Sequence, residues 1–156
     1  MSMLKEADRI NFDRVRVVME KIKQALWILK DKRIAILGLA FKPETDDIRE
    51  APSINIIREL VREGARLRLY DPQATDNMKL VFSPEPGRLE YFASPYLAAE
   101  GTNALLLLTE WEEFAGLELD KIKGTMANPI IIDGRNIFSP AALRKLGFEY
   151  YSIGRK

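Results

Sequence analysis

The amino-acid sequence predicts an α/β protein built on an open parallel sheet of about six strands, with helices on both faces and one long amphipathic helix in front. Three observations favour this fold class. Apolar runs without polar alternation, such as residues 34–37 and 104–108, are typical of strands covered on both faces of a sheet. Segments with helical apolar periodicity alternate with these runs. A length of 156 residues suits a single domain with an adequate core.

Residues 11–30 predict the long helix, because apolar side chains recur there every three or four positions with charged side chains between them. Two interpretations of its apolar stripe are open. The stripe packs on this domain's own sheet, or the helix is the tail of a longer connecting helix from a preceding domain. The second is suggested because a helix that leads into a first strand is an unusual start for a free-standing domain.

The other elements follow in order. Proline opens the second helix at residues 51–53 and Gly64 ends it. Its buried side is expected to comprise Ile54, Ile56, Ile57, Leu60 and Val61. Strands are predicted at residues 34–37, 66–70, 89–92, 103–109, 129–133 and 148–153. Shorter helices are predicted at residues 76–80, 95–100, 120–126 and 139–146, the last capped by Ser139.

Composition limits the function classes. Lys and Arg total 24 against 23 Asp and Glu, so no overall field favours nucleic acid or a membrane. Without cysteine or histidine, thiolate metal sites, thiol nucleophiles and the commonest general base are missing, and binding becomes the stronger expectation. No apolar run approaches the roughly 20 residues that span a bilayer. Charges throughout residues 1–23 argue against a signal peptide, so a cytoplasmic location is expected.

The turn after the first strand departs from the standard dinucleotide motif. Gly38, Ala40 and Pro43 stand where G-x-G-x-x-G would place three glycines. Asp71 resembles the acid that binds a ribose, but it lies 33 residues past Gly38 rather than about 20 and precedes a proline, which favours a turn-making role. The sheet is therefore interpreted as Rossmann-like, without the glycine-rich motif that usually binds a dinucleotide.

Two cations follow strand ends. If the strand order is 3-2-1-4-5-6, the strands before Lys42 and Arg135 are two places apart, and two steps of about 4.8 Å separate their carboxyl ends by roughly 10 Å. A diphosphate fits this gap, with Lys42 as a point charge and Arg135 as a planar donor of two hydrogen bonds. The alternative is that Lys42 is a solvated loop lysine.

Two further stretches that contain charged residues are harder to interpret. Asp46 and Asp47 either accept backbone N–H groups of the loop or pair with Arg49. Glu110 and Trp111 also follow a strand end, but a tryptophan flanked by acids serves equally well as a lid that packs on the loop. We assign this pair no role in binding.

Four motifs carry a family resemblance. Residues 38–52 (GLAFKPETDDIREAP), 109–114 (TEWEEF) and 133–136 (DGRN), with the closing residues 147–155, resemble the C-terminal, UDP-binding domain of UDP-glucose 6-dehydrogenases in the same order and spacing. The resemblance covers essentially the whole chain from about residue 11. Four ordered motifs are far more specific than a single glycine pattern.

The resemblance implies a function for the complete protein. Enzymes of this family oxidise the C6 alcohol of UDP-glucose to a carboxylate with two NAD molecules and a thioester on a cysteine, and a homodimer or higher oligomer is expected. Residues 1–31 would be the end of the central connecting helix, and residues 32–156 the UDP-sugar-binding domain. The NAD-binding domain and the cysteine are missing here, so this chain alone is expected to be inactive.

The same resemblance implies roles for four residues. Phe41, Lys42 and Arg135 match positions that contact the UDP-sugar, and Arg49 matches one that reaches toward NAD. Related enzymes acting on GDP-mannose or on UDP-N-acetylhexosamines are the nearest alternative. A second alternative is a non-catalytic interaction module whose helix stripe binds a partner through Val15, Val18, Ile22 and Leu26.

Overall fold

The computed structural model describes residues 2–153, with side chains from residue 13 onward. These residues form a six-stranded parallel sheet with helices on both faces. The first half of the described chain consists of α1 (Ser2–Leu26), β1 (Arg33–Leu37), α2 (Pro52–Arg62), β2 (Arg66–Tyr70), α3 (Thr75–Val81), β3 (Leu89–Tyr91) and α4 (Pro95–Ala99). The second half consists of β4 (Ala104–Leu107), α5 (Glu112–Ala115), α6 (Leu119–Thr125), β5 (Ile130–Asp133), α7 (Pro140–Lys145) and β6 (Glu149–Ser152).

The strand order across the sheet is β3-β2-β1-β4-β5-β6, which confirms the order expected from the sequence. β4 therefore lies between β1 and β5 and pairs with both in parallel. Leu107 is in register with Leu37 on one side and with Asp133 on the other. The carboxyl ends of these three strands consequently lie level with one another at one edge of the sheet.

Two apolar layers cover the sheet, and β4 shows why. All four of its residues are buried, and successive side chains point to opposite faces, so Leu106 joins one layer and Leu107 the other. The first layer is completed by apolar side chains of α1, α2 and α3. The second is completed by side chains of α4, α5, α6 and α7. The unalternating apolar runs in the sequence reflect this double burial.

The first helix has different limits from those predicted. It runs from Ser2 to Leu26 rather than over residues 11–30. Trp27 ends it in the left-handed conformation, with φ 65°, while its N–H still donates to the carbonyl oxygen of Lys23. Leu29 continues the apolar repeat, but it lies in the loop after α1 and is buried there. The apolar periodicity therefore predicted a helix end that is too late in the chain.

The apolar stripe of α1 is part of this domain's own core. Val18 and Ile22 are 1% and 0% exposed, and the helix packs against α2 and β5. Val15 is also buried, and Leu26 packs on the same layer. The first interpretation of the stripe is confirmed. The interaction module that used this stripe as a free docking surface is wrong, because the stripe is already covered.

Most of the other elements agree with the sequence predictions. Pro52 opens α2 and Gly64, with φ +86°, follows its end. Val61 was expected on the buried side of α2 but is 46% exposed, since it lies about 100° around the helix from the buried Leu60. The four-residue helix α5 was not predicted. Within residues 2–153, no helix combines the length and the apolar character that crossing a bilayer requires.

A buried aspartate joins the end of β2 to the loop after β1. One carboxylate oxygen of Asp71, Oδ2, accepts the backbone N–H groups of Leu39 and Ala40 at 2.7 and 3.0 Å. The other, Oδ1, accepts those of Gln73 and Ala74 at 2.8 and 2.7 Å. The turn-making role expected of Asp71 is confirmed, and the same carboxylate also fixes the start of the neighbouring loop.

Replacing a buried residue of α1 tests how the helix contributes to the core. Ile22→Ala should lower the free energy of unfolding by about 2 to 5 kcal/mol, because it leaves a cavity in a layer that has no access to water. Ile28→Ala, at a position that is 70% exposed just past the same helix, should change it by less than about 0.5 kcal/mol. Urea denaturation measures both. Equal effects of the two variants would contradict the packing of α1 described above.

Replacing Asp71 tests the carboxylate that joins β2 to the loop. Asp71→Asn should lower the free energy of unfolding by at least about 2 kcal/mol, because one oxygen is lost and an amide donor then faces backbone N–H groups. Asp46→Asn makes the same chemical change at an exposed side chain and should have little effect. Thermal denaturation compares them. A similar decrease in the free energy of unfolding in Asp71→Asn and Asp46→Asn would show that the contacts of the Asp71 carboxylate do not matter for stability.

Candidate functional site

Two glycines let neighbouring loops approach the end of β4 from both sides. Gly38 has φ +98°, and a Cβ atom there would lie 2.7 Å from the backbone nitrogen of Thr109. At Gly134, a Cβ atom would lie 2.8 Å from the carbonyl oxygen of Leu107. Both distances are shorter than any side chain tolerates. The loop after β1 and the loop after β5 therefore meet the end of β4 more closely than other residues would allow.

The loop after β1, residues 38–51, is fixed at its start by hydrogen bonds. The hydroxyl group of Thr109 donates to the carbonyl oxygen of Ala40 at 2.8 Å, and that of Ser53 donates to the carbonyl oxygen of Leu39 at 2.7 Å. The N–H of Phe41 donates to the carbonyl oxygen of Asp47 at 2.8 Å. Beyond this fixed backbone, the side chains of Phe41 and Lys42 are exposed at the carboxyl edge of the sheet.

Lys42 has no ion-pair partner among the residues whose side chains are described. Its charge helps to lower the pKa of Asp47. The lysine thus presents an unpaired ammonium group directly after Phe41, a residue that is 45% exposed. A phosphate oxygen is a suitable ligand for such a group.

The loop after β5 is organised by a second buried aspartate, Asp133. Its Oδ1 accepts the backbone N–H of Arg135 at 3.1 Å. Its Oδ2 accepts the N–H of Phe138 at 3.0 Å and the hydroxyl group of Tyr150 at 2.7 Å. The backbone of Arg135 is therefore held by a carboxylate that is completely buried. This leaves its guanidinium group free to interact at the sheet edge.

The guanidinium group of Arg135 pairs with Glu110, which follows the end of β4. The side chains of Arg135 and Glu110 are 28% and 40% exposed. No binding role was expected for Glu110 from the sequence, although its charge directly follows the predicted strand 103–109 and was a usable signal. A third charge, Arg14 of α1, interacts electrostatically with both. Burial lowers the pKa of Arg14, the charge of Arg135 lowers it further, and the charge of Glu110 raises it.

Arg49 lies further along the loop after β1 and is held by Asp47. Its Nε and Nη2 atoms donate to the two carboxylate oxygens of Asp47 at 3.0 and 2.9 Å. These bonds lower the pKa of Asp47 to about 2. Asp47 Oδ1 also accepts the backbone N–H of Arg49 at 2.9 Å, so both open interpretations, acceptance of loop N–H groups and pairing with Arg49, are confirmed for Asp47. A groove of about 590 Å³ lies beside this pair, lined by residues 45–49, Asn77, Leu80 and Val81. The side chain of Arg49 is 87% exposed there.

The turn after β1 does not fit a dinucleotide held in the usual manner. In the glycine motif, backbone N–H groups of this turn face the pyrophosphate. Here the N–H groups of Leu39 and Ala40 are bound to Asp71 instead. Asp71 itself is 4% exposed and has both oxygens occupied, so it is not available to a ribose. Any contact of this domain with NAD would have to come from exposed side chains such as Arg49.

The site also lacks the features of a metal centre. Within residues 2–153, no group of three or more Asp or Glu side chains is arranged to hold a metal ion. The structure instead places the exposed side chains of Phe41 and Lys42 and the partly exposed side chain of Arg135 on loops either side of the end of β4. Such an arrangement can bind an anion with an attached planar or apolar group.

Comparisons with known proteins identify the domain. A model of the UDP-glucose/GDP-mannose dehydrogenase family, UDP binding domain, matches residues 35–140. The UDP-glucose 6-dehydrogenase of Pseudomonas aeruginosa is 44% identical over 135 residues, which are 85% of this chain and 29% of that protein. UDP-glucose 6-dehydrogenase TuaD of Bacillus subtilis is 41% identical over 142 residues, which are 91% of this chain and 30% of that protein.

A solved structure agrees with these relatives. The chain is similar to a UDP-glucose dehydrogenase from the archaeon Pyrobaculum islandicum, with a TM-score of 0.74 and 26% identity over 92% of this chain and 30% of that one. The chain spans about three tenths of the length of the curated relatives it matches. The family model covers both loops at the end of β4, and the chain therefore belongs to the UDP-glucose/GDP-mannose dehydrogenase family, as its UDP-binding domain.

Proposed function

We propose that this chain binds the UDP-sugar of an NAD-dependent 6-dehydrogenase, and that the complete protein oxidises UDP-glucose to UDP-glucuronate. One observation carries the proposal. Lys42 and Arg135 are cations on loops that flank the same strand end, and the strands that deliver them end level with it. Two strand spacings of about 4.8 Å separate these loops, which suits a diphosphate between them.

Each side chain has a distinct part in this binding. Lys42 supplies a compact charge, which attracts phosphate oxygens from several directions. Arg135 supplies a planar guanidinium group, which donates two parallel hydrogen bonds to one phosphate. Phe41, 45% exposed beside Lys42, offers an apolar surface to the sugar or the base. The domain thus holds and orients its ligand and contributes no reacting group.

The oxidation itself needs parts that these residues do not provide. When bound, NAD would accept hydride from the sugar, but the turn after β1 does not fit it as the principal holder. Arg49 is proposed to reach NAD from this side, because its guanidinium group is exposed and is oriented by Asp47. The chain contains no cysteine, so a thioester step would require a residue outside it. We further propose that the complete protein is a dimer or higher oligomer.

The choice of UDP-glucose over other nucleotide sugars is supported by the relatives. Those with 41% to 44% identity are named UDP-glucose 6-dehydrogenases. A UDP-N-acetylmannosamine dehydrogenase from Pyrococcus horikoshii shares the fold at 27% identity with a TM-score of 0.71. An enzyme for UDP-N-acetylhexosamines is therefore the second candidate. Comparing binding of UDP-glucose and UDP-N-acetylglucosamine to the complete protein would separate the two.

Removing both cations tests the proposed ligand. The chain should bind UDP in a calorimetric titration, and the Lys42→Ala, Arg135→Ala double variant should bind it about 100-fold more weakly, because two charge-assisted contacts are lost. The Arg144→Ala, Lys145→Ala variant removes the same charge from the exposed end of α7 and should bind UDP as the unmodified chain does. Circular dichroism checks that both variants fold. Equal affinity in both double variants would contradict the proposal.

A further inference from the structure

The strongest unassigned feature of the molecule is a group of three charges at the carboxyl edge. Arg135 from the loop after β5 pairs with Glu110, which follows β4, and Arg14 of α1 interacts electrostatically with both. Only Arg135 among them has been given a part in binding. Glu110 stands at the proposed phosphate site, where its carboxylate and a phosphate would compete for the guanidinium group of Arg135.

The position of α1 explains why Arg14 is near this site. Val18 lies against the loop after β5, because its Cγ2 atom is 3.7 Å from the position that a Cβ atom would take at Gly134. Gly134 directly precedes Arg135 in the chain. Arg14 is four residues before Val18 and so shares its face of the helix, about one turn away. Packing of α1 on β5 therefore brings a second guanidinium group to the edge that Arg135 occupies.

The guanidinium group of Arg14 is available to a ligand. It has no ion pair or hydrogen bond with any side chain in residues 13–153, whereas its neighbour Arg16 is paired with Glu20 at 3.0 Å. The residue is still accessible to solvent, although partial burial lowers its pKa. The group of three charges thus carries one negative and two positive charges. Neutralising or displacing Glu110 would leave two guanidinium groups without a counter-charge.

The Glu110 and Arg135 pair is of a kind that a ligand displaces easily. Both side chains are partly exposed, and ion pairs in such positions contribute little to stability because water screens them. A diphosphate carries more negative charge than one carboxylate and accepts bidentate hydrogen bonds from arginine equally well. Replacement of the carboxylate by a diphosphate would move Glu110 into water, to which its side chain is already 40% exposed.

We propose that Glu110 is an internal occupant of the phosphate site: the diphosphate of the ligand displaces its carboxylate from Arg135, and Arg14 supplies a second guanidinium group to the same anion. The proposal deepens the proposed function and rests on it, since both use Arg135 as a phosphate ligand. It assigns Arg14 as a further binding residue. It also assigns Glu110 as a residue that limits affinity by competing with the ligand.

Two single variants of the chain test the proposal, with UDP and inorganic pyrophosphate as the probes in separate calorimetric titrations. Glu110→Gln keeps the shape of the side chain but removes the competing charge, and should bind both probes about threefold to tenfold more tightly. Arg14→Gln removes the second guanidinium group and should bind both about threefold to tenfold more weakly. The gain from Glu110→Gln should disappear in an Arg135→Gln background, because there is then no pair to break.

Matched controls are close by in the sequence. Glu112→Gln removes an exposed acid two residues from Glu110, and Arg16→Gln removes a base two residues from Arg14 that is paired elsewhere. Both should leave the affinity for each probe within about twofold of the unmodified chain, since both side chains are exposed and water and salt screen their charges.

The outcomes separate this proposal from the proposed function. Weaker or unchanged binding in Glu110→Gln overturns the proposal, since Glu110 would then orient Arg135 rather than compete with the ligand. An unchanged affinity in Arg14→Gln removes Arg14 from the site and also overturns it. If pyrophosphate binding responds as expected but UDP binds no more tightly than pyrophosphate, the phosphate site stands and the nucleotide specificity of the proposed function fails. If neither UDP nor pyrophosphate binds even to Glu110→Gln, both the displacement proposal and the proposed function fail.

Discussion

The carboxylate of Asp71 is the interaction on which the arrangement of the carboxyl edge depends. It accepts two backbone N–H groups from the turn after β1 and two from its own turn after β2. A buried carboxylate needs such donors, and these turns need an acceptor away from water. The consequence is chemical as well as structural. The two N–H groups that a glycine-rich turn would offer to a pyrophosphate are already used within the protein, and the proposed function therefore assigns phosphate binding to side chains.

The side chains that remain for this task are placed by close packing around the end of β4. Gly38 and Gly134 bring the flanking loops against Thr109 and Leu107, at distances that no other residue would permit. Asp133 fixes the backbone that carries Arg135 in the same way that Asp71 fixes the start of the loop that carries Lys42. A fixed backbone that carries cations accessible to solvent suits a domain that positions a ligand for chemistry supplied from elsewhere.

The sequence predicted features that depend on neighbouring residues in the chain or on burial. The limits of β2, the proline at the start of α2 and the strand order all followed from local patterns and from the rules for parallel sheets. The end of α1 did not, because the left-handed conformation of Trp27 overrides an apolar repeat that continues to Leu29. The second role of Asp71 was also hidden, since its partners Leu39 and Ala40 lie more than 30 residues earlier in the chain. The pairing of Glu110 with Arg135 was missed for the same reason, while the family resemblance supplied the expected roles of Phe41 and Arg49.

The central claim is that UDP binds at the carboxyl edge, between the loops after β1 and β5. Amide chemical shifts of the isotopically labelled chain, recorded by NMR during a titration with UDP, test it most directly. We expect the largest changes at residues 38–42 and 134–136, with little change at Asn103 and Asn128, which contact each other at the opposite, amino edge of the sheet. Changes centred on the amino edge, or spread evenly over the surface, would contradict the account.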